Sequence, residues 1–89
     1  MHTVELLEQA IECAERCGYR IRQEWLEGRG GGICHISGEP WVFIDLAVSH
    51  QEQLDTLLDA ISLRNQEEDA ADQPPIPPAI DSVLRQRAA

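Results

Sequence analysis

Lysine is missing altogether: the seven basic residues of this 89-residue chain are all arginine. Without an ε-ammonium there is no Schiff-base chemistry, no lysine general base and no lysine to meet the phosphates of a P-loop. Positive charge is scarce in any form, with sixteen acids against seven bases and a net charge of -9. A surface of that sign repels phosphate backbones and anionic headgroups at long range. Non-specific binding to nucleic acid or acidic membranes is excluded, and neutral or basic partners remain. No apolar run approaches the ~20 residues of a membrane span. Met1–Tyr19 is acidic and amphipathic, unlike a basic stretch followed by an apolar one. No signal peptide is read, and a cytoplasmic location is expected. Cysteine is sparse and odd in number, three in all, which fits a reducing compartment better than a disulfide framework.

What is present is the material of one small domain with a thin core, stable by roughly 3–5 kcal/mol. Val4, Leu7, Ile11 and Ala14 recur at helical spacing, with Leu6, Ala10 and Cys17 widening the stripe. This predicts a helix over Thr3–Cys17, capped by Thr3 and stopped by Gly18. Tyr19–Leu26 then alternates as a strand does, with Tyr19, Ile21 and Trp25 on one face and Arg20, Arg22 and Glu24 on the other. After a glycine-rich stretch come a second short strand, Ile33–Ile36, a turn over Ser37–Pro40, and a third strand, Trp41–Leu46, the most apolar run in the chain. Ser49 and Glu52 form a capping box in front of a helix whose stripe is Leu54, Leu57, Leu58 and Ile61. The expected fold is α+β, a two-layer sandwich of order α-β-β-β-α over residues 1–65. Its three strands form an antiparallel meander with helices on one face. A polar, proline-rich linker over 66–78 and a short helix or tail over 79–89 complete the expected organisation.

Three sites merit weighing. The stretch "EGRGGGICH", Glu27–His35, has the backbone freedom of an anion nest, and Arg29 would add a charge. The known phosphate loops do not fit it. The dinucleotide fingerprint has Ile33 where its third glycine belongs, and both phosphate motifs lead into a helix where this loop leads into a strand. Arg29, Gly30, Gly31, Gly32, Cys34 and His35 are therefore a candidate loop site, with a structural connection as the plainer reading. Cys13 and Cys17 share a helix face, and Cys34 could join them from the sheet. A fourth ligand lacks useful spacing, so no metal and no cofactor is expected. A Cys34–His35 nucleophilic pair is opposed by strand geometry, which turns neighbours apart. If Cys34, Ile36, Val42, Ile44 and Leu46 face the helices, the other face carries His35, Trp41, Phe43 and Asp45. That is a candidate interaction face, open unless the tail folds back over it.

The residues Arg22, Glu24, Leu26, Gly28, Gly30 to Gly32, Cys34, Asp45 and Leu46 carry a resemblance. In this pattern, R-x-E-x-L-x-G-x-G-G-x-C followed by D-L, Gly18–Ile61 resembles a group of small uncharacterised bacterial proteins. The resemblance implies a cytoplasmic bacterial protein with the two-layer fold above, and it implies no activity. A more distant likeness of element order is to ImmA/IrrE-type metallopeptidases. Their zinc motif H-E-x-x-H has no counterpart in the helix "EQLDTLLDAI", so zinc hydrolysis does not carry over. The functional expectation is a non-enzymatic protein-interaction module, with a homo-oligomer or a protein partner. The alternative is a small-ligand or thiol-dependent site around the loop and Cys34.

Overall fold

The computed structural model describes residues 2–67 and 75–88. Helix α1 spans Thr3–Arg16, and strands β1, β2 and β3 span Arg20–Glu24, Gly32–Ile36 and Glu39–Asp45. Helices α2 and α3 span His50–Glu67 and Pro78–Ala88. The α-β-β-β-α order is as the periodicity predicts, followed by one short helix. Most of the expected linker, 68–74, lies outside the described residues.

Local chemistry sets the element ends. Leu6 N donates to the His2 carbonyl at 3.0 Å, so Thr3 lies inside α1 and His2 holds the cap position, without a side-chain cap bond. Thr3 is therefore not the N-cap. At the other end Gly18 takes φ +100°, its N–H reaches Glu15 and the Tyr19 N–H reaches Ala14. This crossed pair of bonds ends helices at glycine because a left-handed residue suits a missing Cβ. Ser49 Oγ accepts from the Glu52 N–H at 3.2 Å and starts α2.

The sheet is mixed, with order β1-β3-β2, and this corrects the expected antiparallel meander. β2 and β3 form an antiparallel hairpin closed by Ser37 and Gly38, whose φ values of 53° and 81° suit a two-residue turn. Strand β3 therefore begins at Glu39, two residues before its predicted start. β1 runs parallel to β3 on its other side. The glycine stretch does not reverse the chain beside β1. It carries the chain across the end of β3 to the far edge, and the most apolar strand becomes the central one. Pro40 is tolerated in that central strand because β1 pairing begins one residue later, at Trp41. On the β2 side the alternation from the closing pair Ile36–Glu39 leaves His35–Pro40 without ladder bonds.

The helices cover one face. Val42 and Ile44 point into a core with Leu7, Ala10, Cys13, Ala14, Leu54, Leu57, Leu58 and Ile61. Burying each large aliphatic side chain contributes about 1.5–3 kcal/mol. Tyr19 sits at the junction of α1 and β1, and its hydroxyl donates to the Ala60 carbonyl at 2.9 Å, tying α2 to that corner. α3 packs on α1, places Ile80 fully inside the same core, and pairs Arg87 with Asp59 of α2. No described helix is long and apolar enough to cross a membrane.

Candidate functional site

The crossing loop is organised by one carboxylate. Asp45, the last residue of β3, is 1% exposed. Its Oδ1 accepts from the N–H groups of Leu26 at 3.0 Å and Ala47 at 2.9 Å, and its Oδ2 accepts from Gly30 at 2.9 Å. Burial alone pushes this carboxyl upward. The amides of Ala47, Leu26, Gly30 and Gly28 outweigh it and hold the group below the usual aspartate value. The loop is thus an anion nest, and the anion is the chain's own side chain. The amides that an external phosphate would use are taken.

Alternation follows from that arrangement. The loop turns the amides of residues 26, 28 and 30 inward, and Trp25, Glu27 and Arg29 line an open depression of about 230 Å³ together with Leu26. Trp25 is 70% exposed, beyond the end of β1 and away from the face of Tyr19 and Ile21, with which period-two reading groups it. Among the described residues Arg29 reaches only Glu27, at 3.9 Å, with both side chains well exposed. The three central glycines differ in their reasons. Gly30 takes φ +78°. A Cβ on Gly31 would stand 1.7 Å from the Phe43 carbonyl oxygen, so the chain there lies against the backbone of β3. A Cβ on Gly32 would meet nothing within 4 Å.

The register then decides which residues share the helix-free face. Directly paired residues point to the same side. One row is Arg20–Trp41–Cys34 and the next is Arg22–Phe43–Gly32. Ile33 pairs with Val42 and packs against the core. Cys34 and Ile36 consequently lie on the helix-free side, opposite to the expectation. His35, paired with Pro40, belongs to the helix side at the exposed hairpin end. The cause is parity: β2 offers apolar residues at 33, 34 and 36, and a shift of one residue exchanges its faces. Of the expected interaction face, Trp41 and Phe43 are in place, while His35 is on the other side and Asp45 is buried under the loop.

The rings of Trp41 and Phe43 stack with centroids 6.0 Å apart and 23° between planes. The Arg20 guanidinium lies 5.8 Å from the Trp41 ring centre and makes two contacts with the Glu39 carboxylate, 2.6 Å from Nε and 3.2 Å from the terminal nitrogen. Arg22 Nε pairs with Glu24 at 2.5 Å. Ile36 is 46% exposed beside them. The arginine set of β1, one of two possibilities in the alternation, is the one that joins the aromatics.

The thiols separate. Cys13 and Cys17 are buried in α1 and just beyond it, and burial, helped by the neighbouring Cys17, pushes the Cys13 thiol up to about 11. Such a thiol is a poor nucleophile at neutral pH. Cys34 lies on the far side of the sheet from both. Among the described residues no group of three or more His, Cys, Asp or Glu side chains comes together as a metal-binding cluster. Compared with protein-family models, curated proteins and solved structures, the chain matches none.

Proposed function

We propose that this chain is a non-enzymatic protein-interaction module whose working surface is the helix-free face of its sheet. The observation that carries the reading is the Trp41–Phe43 stack, with Arg20 against Trp41 and Cys34 in the same cross-strand row, on a face that no described helix covers. Aromatic residues and arginine are the side chains enriched where partners bind most tightly: rigid rings bury much area at little entropic cost, and the guanidinium both stacks on rings and donates several hydrogen bonds. The competing reading, a ligand or thiol site at Arg29–Cys34, lacks its parts. The loop amides serve Asp45, and the nearest histidine in sequence, His35, lies across the strand from Cys34.

The test is association by the native protein, measured as solution mass at micromolar concentration and as crosslinked partners in lysate. Trp41→Ala should abolish either form of association, and Leu63→Ala, on the exposed side of α2, should leave it unchanged. A protein that stays monomeric and crosslinks to nothing, or one whose associations ignore Trp41, sinks the proposal.

A further inference from the structure

We infer that the occupant of this face is a second copy of the same chain, docked sheet to sheet about a two-fold axis. The inference rests on the interaction-module reading and names its partner. Charge supports it first. The chain carries a net charge of -9, yet among the described residues the exposed charges of this face are two arginines, Arg20 and Arg22, and two glutamates, Glu24 and Glu39. Two copies repel each other through their net charge, and this face, with its arginines and glutamates balanced, can meet its twin without adding to that repulsion. A strongly basic partner would be drawn instead to the acidic helix side, with Glu5, Glu8, Glu12 and Glu15 on α1.

Shape supports it second. Trp41 and Phe43 make a ridge along the central strand. Beside Phe43, in the same cross-strand row, Gly32 leaves a notch. Among the described residues nothing requires glycine at 32: its φ is not positive and a Cβ would meet no atom within 4 Å. A glycine at the start of a strand leaves room for another backbone or side chain to approach closely. In a two-fold interface a residue contacting its counterpart is contacted in return. The Phe43 ring of each copy fills the Gly32 notch of the other, and the flanking arginines meet the partner copy's glutamates.

The experiment is sedimentation of the purified chain over a wide concentration range. The native protein should reach twice the 10.0 kDa of one chain. Gly32→Leu should weaken dimerisation at least about tenfold by overfilling the notch, while its urea midpoint, measured at low concentration, stays at or above that of the native monomer. Arg20→Glu should weaken the dimer, and adding Glu39→Arg to it should restore association, because a face swapped in both charges is again complementary to itself. A native dimer indifferent to Gly32→Leu overturns the inference, as does a double swap that restores nothing. A chain monomeric at every concentration also overturns it. If Gly32→Leu then abolishes crosslinks to another protein in lysate, the interaction-module reading stands without self-association; if native protein and variant both crosslink to nothing, both fall.

Discussion

Replacing Gly31 by alanine adds one carbon where the chain has no room. That carbon would stand 1.7 Å from the Phe43 carbonyl oxygen and 2.7 Å from its carbonyl carbon, whereas real side-chain carbons keep beyond 3.0 Å. Both obstacles are main-chain atoms of the central strand and cannot rotate aside. The loop must lift by at least about 1 Å, which a close-packed region does not absorb. Lifting it draws the Gly30 amide from Asp45 and Gly32 from its register with Phe43. Overpacking of this severity costs about 3 kcal/mol, in a domain stable by roughly 3–5 kcal/mol. With a urea m-value of about 1 kcal/mol per molar for so short a chain, the midpoint should fall by about 3 M. The assay is urea unfolding followed by tryptophan fluorescence and far-UV circular dichroism. Gly32→Ala is the control one residue away, expected within about 0.5 kcal/mol of the native protein. Equal midpoints for the two variants would mean that the loop is not pressed against β3.

Three further outcomes are expected. Asp45 is held below its ordinary value in the folded chain, so its stabilisation is fully present above the unfolded carboxylate pKa of about 3.9 and is lost as pH falls through the lower folded value. Asp45→Asn should thus be less stable than the native protein at neutral pH, with the gap closing in acid; a gap constant with pH would show that the charge is not what the loop amides require. Ser49→Ala removes the α2 cap and should cost about 1 kcal/mol, read as a melting temperature lower by about 4–8 °C; an unchanged melting temperature would place the start of α2 under tertiary control. Maleimide labelling of native protein kept dilute enough to be monomeric should modify Cys34 alone, with Cys13 and Cys17 reacting upon unfolding, and equal rates for all three would contradict the buried placement of Cys13 and Cys17.

Helices were legible because their signals are local. The spacing of Leu7, Ala10 and Ala14 marks the buried side of α1, and Gly18 and Ser49 mark ends through bonds spanning three to five residues. Even there Val4, expected in the buried stripe, lies nearly half exposed, while Leu6 in the same turn packs against the core. The strands were legible as segments. Their arrangement was not, since Ser37–Gly38 is a hairpin signal while the seven residues between β1 and β2 are compatible with either edge of the sheet. In β2 the run Ile33, Cys34, His35, Ile36 does not alternate cleanly, so its facing depended on the register with β3. The best available signal for the strand order was apolarity. The run Trp41–Asp45 is the one suited to pairing on both sides, which places it in the middle.

By itself, then, the amino-acid sequence determined the helices, the three extended segments, the acidic charge with its exclusions, and the presence of a loop rich in free backbone amides. Each of these depends on residues a few positions apart. The tertiary structure decided where β1 lies, which way Cys34 points and what the loop amides hold. Those outcomes depend on pairings between distant residues, and the Gly30 amide meets a carboxylate fifteen residues further along the chain. Once the loop crosses the end of β3, Asp45 becomes the anion of its nest, and the aromatic pair behind it is left facing outward with the arginines of β1.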